Sequence, residues 1–348
     1  MNLHLFIPSL FWSDSSLPEI YQDLPLPSLE TLLSKSRVVH GSTNDIYTWL
    51  CTAFHIEKQH DWPVAPITQH LDAVESKLEY PRSDYWLRAD PVHLRIEQNH
   101  IMLADRHIFQ LTHDEALQFT DAINQLLVND NITVFPFHPY RWYICLPEPP
   151  DLYTHTLNTA SCKNINNLMP TGKASINWHK IINEVQMLLH DHPLNQQREA
   201  RDQLAINSLW LWGGGKLPQT SRSLYTTIWT NNDFVRALGK WSSLQYKQLP
   251  GDASLLLQAA DSENHFVYLD ELLNDDKYNN AYSWRDKLLQ LERLWFTPLH
   301  TALKNKQITS LKISSINENG SHDFFAKPSS LRKFWSTIKP LSFYADKK

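Results

Sequence analysis

The stretch "DHPLNQQREARDQLAINSLWLWGGGKLP", Asp191 to Pro218, holds two of the chain's thirteen tryptophans and three of its eight glycines. Its apolar run "LWLW" followed by glycines predicts a strand that stops at a turn. Sheet enzymes bind ligands outside the C-terminal ends of such strands. Glycines there let backbone N–H groups approach an anion, and Lys216 adds a positive charge. With Asn195, Arg198 and Arg201 just upstream, the stretch is a candidate site for a small anion. The alternative is a tight turn with two packed indoles. Neither GxGxxG with an acidic residue downstream nor GxxxxGK[ST] occurs here, so no nucleotide fingerprint applies. His190 and His192 have no carboxylate or thiol placed to complete a metal site and read as a solvated helix end.

Outward from that stretch, 348 residues predict two domains, or one large domain with an insertion. The 42% hydrophobic and 20% charged content is that of a folded globular protein. A net charge of -5 without any basic block argues against nucleic acid as a partner. Three widely spaced cysteines, Cys51, Cys145 and Cys162, predict reduced thiols and a cytoplasmic location. The opening "MNLHLFIPSLFWSD" has no cationic region before its apolar run and no small-residue cleavage site after it, so it reads as a first strand. No apolar run approaches the ~20 residues that span a bilayer, and no membrane partner is expected.

Leu3 to Ile7, ended by Pro8, predicts a strand buried on both faces, as in a parallel sheet. Ser28 is the expected cap of a helix that buries Leu29, Leu32 and Leu33, and Asp45 that of a helix to Phe54. "DWPVAPIT" breaks regularity and marks a boundary. From Tyr85 the alternation of Val92, Leu94 and Ile96 with His93, Arg95 and Glu97 predicts a strand. Thr112 and Glu115 form a capping box for the next helix, with Ala116, Phe119 and Ile123 on its stripe. "ITVFPFHPYRWYICL" predicts a pair of strands, the following segment to Lys173 a surface loop, and Trp178 to His190 a helix. The C-terminal third predicts a long helix from Ser283 interrupted near Pro298, a strand "ITSLKIS", and a last helix from Ser329 to Ile338.

Several of these motifs, in this order, resemble archaeal-type cofactor-independent phosphoglycerate mutases. In the opening stretch His192, Pro193, Asn195, Arg198, Asn207, Trp210, Leu211, Trp212, Gly213, Gly215 and Pro218 match that family's HPxNxxR and NxxWLWGxGxxP elements. "ADPVHLRIE" is similar to its GDVAFRxN element through Asp90, Val92 and Arg95, with Glu97 departing from the asparagine. Arg141 stands where a later strand pair carries a basic residue, and "LPSLETLLSKS" resembles an early helix. Together with the ending "FWSTIKPL", the chain is similar over most of its length to RpfE-type bacterial regulatory proteins.

The resemblance implies an α/β fold: an alkaline-phosphatase-like core with a central mostly parallel sheet, over residues 1–80 and 200–348, plus an inserted α+β domain over 81–199. It also implies two divalent metals, a serine phosphorylated in turn, and a phosphoglycerate bound by the inserted domain. The residues depart from that chemistry. Pro8 and Ser9 occupy the place of the first metal-binding aspartate, and the last strand, "LKISSINENGSHDFF", lacks DHxTP. The expectation is therefore a degenerate, non-catalytic relative with no metal cofactor and an unidentified protein partner. Arg95, Arg141, Asn195, Arg198, Arg201 and Lys216 would bind a small phosphorylated or carboxylated metabolite, because guanidinium groups take such anions bidentately. The alternative is an active mutase or phosphatase holding manganese or zinc through displaced ligands at Asp14, His322 and Asp323. Its nucleophile would be Ser42 or Thr43, which otherwise cap the next helix.

Overall fold

The computed structural model describes residues 1–81, 84–97, 100–219, 223–261 and 263–345. Twelve strands lie among them: β1 (Asn2–Phe6), β2 (Arg37–Gly41), β3 (Tyr85–Glu97), β4 (His100–Ala104), β5 (Val134–His138), β6 (Arg141–Leu146), β7 (Ser208–Lys216), β8 (Thr227–Trp229), β9 (Gln245–Lys247), β10 (Asn264–Tyr268), β11 (Ser310–Asn317) and β12 (Gly320–Ala326). The chain divides into two compact units, Met1–His55 with Thr220–Lys348, and Ile56–Gln219.

The first unit is built on a sheet of order β2-β12-β11-β1-β10-β8-β9. Five neighbours, β11, β1, β10, β8 and β9, run parallel, and β12 pairs antiparallel with both β11 and β2. Covered on both faces, β1 sends Leu3 and Leu5 into a core with Leu29, Leu33, Trp284 and Trp295, while Phe6 on the other face stacks on Trp49 with ring centroids 3.8 Å apart. That double burial is why the strand reads as an unbroken apolar run.

The second unit has an antiparallel sheet of order β4-β3-β6-β5, with β7 also pairing β3. Helices His113–Leu126 and Ser175–His190 contribute to a core with Leu87, Trp142 and Leu211 on one face. The helix Val64–Ser76 covers the other, where Ala65 and Ala73 meet Trp86, Phe137 and Tyr143. The mostly parallel core sheet and the separate α+β unit are the architecture expected. The boundaries differ: residues 56–80 and 200–219, expected in the core, fold with the second unit. The helix Val64–Ser76 lies on its sheet, and β7 pairs with β3 along most of its length.

Local expectations fare unevenly. The capping box is present, with Thr112 N and Glu115 N each bonded to the other's side chain, and Asp45 caps the helix Ile46–Ala53. Ser28 is no cap; it lies inside the helix Pro27–Lys35, and the carboxylate of Glu292 accepts the N–H groups of Ser28 and Leu29 at 2.7 and 3.0 Å. "DWPVAPIT" begins a helix instead of ending order, since proline is tolerated in a first turn. The segment before Lys173 contains a short helix, Leu157–Ala160, capped by Thr156. The long C-terminal helix passes through a wide π turn at Glu292–Phe296 before resuming at Thr297–Lys304; Pro298 has no N–H for a regular bond. The last helix does not form beyond a single turn, Ser330–Arg332. Phe334, Trp335 and Ile338 are exposed, so no buried face holds it.

Candidate functional site

The C-terminal ends of the parallel strands are where such a sheet would hold its chemistry. Beyond β1 the chain runs Pro8, Ser9, Leu10, Phe11, Trp12, all buried. Ser9 has φ 57°; its N–H donates to Ile316 O at 2.8 Å, and its carbonyl accepts the Trp284 indole N–H at 2.8 Å. Ser13 donates through its N–H and Oγ to Asp276 at 2.8 and 2.7 Å. Burial pushes that carboxyl up, against the pull of the serine hydrogen bonds.

The displaced ligands do not converge. Asp14 accepts the N–H of Ser16 in a local turn. His322 is buried between the rings of Phe11 and His40, at 5.3 and 4.8 Å. Its neighbour Asp323, on the opposite face of β12 as strand alternation requires, bonds Ser314 and pairs with Lys312 at 3.0 Å. Among the described residues no three His, Cys, Asp or Glu side chains gather as a metal site. The apolar and serine side chains beyond β1 do not supply donors for two divalent ions. Ser42 is exposed just past β2, with Thr43 half-buried beside it, and Asp45 caps the next helix.

The arginine set is dispersed. Arg141 lies buried in a bidentate pair with Asp72 at 2.6 and 2.8 Å, and Tyr143 Oη donates to the same carboxylate. Arg198, also buried, donates to Leu204 O, Gln110 O and Glu115, at 2.9, 2.8 and 2.8 Å. Asn195 bridges Leu189 O and Ile206 O through its amide N–H groups and accepts Ile206 N–H. Arg95, Arg201 and Lys216 are exposed. Lys216 pairs with Tyr85 at the start of β3, so Arg95 lies ten residues away along that strand, roughly 30 Å at 3.3 Å per residue.

The triple glycine is no turn. Gly213, Gly214 and Gly215 lie inside β7, buried. A Cβ on Gly214 would meet Tyr85 Oη, and one on Gly215 would come within 2.6 Å of Pro63 Cβ. Gly213, at φ +66°, lies against Val64. The glycines let the start of the helix Val64–Ser76 and the Tyr85 ring close on the strand. The indoles pack as the alternative reading had it, and each donates: Trp210 to His155 O at 2.9 Å, Trp212 to Asp90 at 2.7 Å.

Two polar networks escaped the sequence reading. In the second unit Arg88 grips Asp90 with two bonds of 2.8 Å and lies against the rings of Tyr143 and Trp212. In the first, His4 Nδ1 lies 2.6 Å from Tyr225 Oη and His4 Nε2 2.7 Å from Ser314 Oγ, and Ser314 bonds Asp323. Burial, then the nearby Lys312, hold the imidazole well below its usual range. A cavity of about 740 Å³ opens beside this network. The signal was His4, a polar residue set between Leu3 and Leu5 in the first strand.

The fold resembles that of solved phosphoglycerate-mutase-type α/β proteins. It is similar to cofactor-independent phosphoglycerate mutase from Thermoplasma acidophilum over 100% of this chain and 95% of that one, with TM-score 0.50 and 13% identity. A Pyrococcus horikoshii protein aligns with TM-score 0.59 and 11% identity over 94% of this chain and 87% of that one. In sequence the chain is 23% identical over 195 residues to a probable 2,3-bisphosphoglycerate-independent phosphoglycerate mutase of Geobacter sulfurreducens, covering 52% of this chain and 47% of that protein. It is 25% identical over 180 residues to the corresponding mutase of Methanosarcina mazei, 49% of this chain and 45% of that one. The matched stretches span less than half the length of these relatives. No protein-family model matches the chain.

Proposed function

We propose that the chain is a phosphoglycerate-mutase-like protein without mutase turnover, a cytoplasmic binder of a small phosphorylated or carboxylated acid in the manner of RpfE-type regulatory proteins. The observation that carries this reading is the segment beyond β1. By the mutase resemblance Pro8 and Ser9 would stand where the two-metal chemistry needs a carboxylate, and the segment to Trp12 is committed to the core by Ser9's hydrogen bonds and by the burial of Leu10, Phe11 and Trp12. Placing a charged ligand there would require the core to reopen.

The test has two parts. Elemental analysis of the purified full chain after dialysis against manganese and zinc is expected to find no stoichiometric metal. A 3-phosphoglycerate to 2-phosphoglycerate assay is expected to stay at the buffer rate. Bound metal with turnover that disappears in Ser42→Ala would overturn the non-catalytic half. A thermal-shift series with phosphorylated and carboxylated acids checks the binding half, which fails if none of them stabilises the chain.

A further inference from the structure

The cavity in the first unit lies at the N-terminal ends of the parallel strands. It is lined by the first residues of three adjacent parallel strands, with Asn2 of β1 in register with Asn264 of β10 and Ser310 of β11. Its charged lining is one-sided: Arg37, Lys312 and Lys327 are present, and among the described residues no aspartate or glutamate lines it. Arg37 and Lys312 share the ring of Phe325, at 4.8 and 5.3 Å from its centroid. Lys312 is balanced by Asp323. Among the described residues Arg37 and Lys327 have no carboxylate partner, so two positive charges are left over for an occupant.

The hydrogen-bond chain behind the wall has a fixed direction. Asp323, paired with Lys312, can only accept, so Ser314 Oγ donates to it. Ser314 must then accept from His4 Nε2–H, which leaves Nδ1 bare to accept the Tyr225 hydroxyl proton. Every proton in the chain is spent. The hydroxyl oxygen of Tyr225, a lining residue of the cavity, therefore offers only lone pairs to anything else and suits a ligand hydroxyl that donates.

We propose that this cavity is the binding site for a phosphorylated hydroxy acid, with Arg37 and Lys327 taking the anionic groups and Tyr225 accepting from the hydroxyl. The proposal rests on the acid-binding reading above and moves the site from the second unit's arginines to the first. The guanidinium fork of Arg37 and the ammonium group of Lys327 are suited to phosphate and carboxylate oxygens.

Isothermal titration calorimetry of the full chain with 3-phosphoglycerate, glycerate and inorganic phosphate tests it. 3-Phosphoglycerate is expected to bind more tightly than either simpler anion. Arg37→Gln and Lys327→Gln should each weaken it at least tenfold, with the circular dichroism spectrum unchanged because both side chains are exposed. Tyr225→Phe should weaken 3-phosphoglycerate but leave inorganic phosphate unchanged, and Lys216→Gln should change neither. If binding survives Arg37→Gln with Lys327→Gln but is lost in variants of Arg95, Arg201 or Lys216, the site is wrong and the acid-binding reading stands. If neither these probes nor any acid of the thermal-shift series binds, the reading itself has failed and the proposal with it. Equal losses of phosphate and 3-phosphoglycerate in Tyr225→Phe would overturn the hydroxyl assignment.

Discussion

Each unit buries a network of charged and polar side chains, and the two are finished differently. In the second unit Arg141 closes on Asp72 and Arg88 on Asp90, while Tyr143 and Trp212 donate to the same carboxylates. Each cation there has its own carboxylate inside the protein. At the first unit's cavity Lys312 is balanced by Asp323, while among the described residues Arg37 and Lys327 have no carboxylate partner. A network closed on itself holds strands and a helix together. A network with surplus charge at a cavity can take an outside partner. The mutase-like motifs of the sequence include Asp90, Arg141 and Trp212 of the closed network, whereas the surplus charge lies in a part of the chain that no motif marked.

The sharpest way to break this contrast is Arg141→Met. It leaves Asp72 buried and unpaired beneath the sheet, and roughly 3 to 5 kcal/mol of stability should be lost in urea unfolding. A loss below about 1 kcal/mol would mean that the pair is not structural. Next is Gly214→Ala. Its Cβ meets Tyr85 Oη and lies 3.0 Å from Leu87 Cδ1, so overpacking should cost about 1 to 3 kcal/mol. Adding Tyr85→Phe removes the nearest atom and should restore part of that loss; no recovery would mean that the strain lies in the backbone.

The smallest effect concerns pH. The folded His4 imidazole titrates well below its ordinary value of 6.5, so the unfolded chain takes up a proton first as pH falls. Stability is therefore full above about pH 6.5 and declines below it, by about 1.4 kcal/mol per pH unit for one proton. His192 and His300, lowered chiefly by burial, act with the same sign. Replacing His4 with asparagine should flatten the slope of unfolding free energy between pH 6.5 and 5. An unchanged slope would remove His4 from the account.

Much of the fold was legible because burial writes itself into periodicity: β1 as an apolar run, the Thr112 capping box, and the helix Ser175–His190 with Trp178, Ile182, Val185 and Leu189 buried. What was not legible depends on distant partners. The cap of the helix Pro27–Lys35 comes from Glu292, more than 260 residues away. The triple glycine is explained by Pro63, Val64 and Tyr85, so its local reading as a turn had no way to succeed. The same holds for Arg141 and Arg198. A guanidinium that grips a ligand and one that grips a buried carbonyl are written with the same letter, and only the packing around them decides. His4 stood in plain view, but its partners Tyr225 and Ser314 lie more than 220 residues away along the chain.

Arg198 tests most directly whether the family motif is scaffold. Arg198→Met removes its bonds to Leu204 O, Gln110 O and Glu115, and urea unfolding and 3-phosphoglycerate titration would be run on the same preparation. A large loss of stability, with the folded protein still binding 3-phosphoglycerate as tightly as the parent chain, is the predicted result. Unchanged stability with binding abolished would make Arg198 a ligand residue and contradict the account.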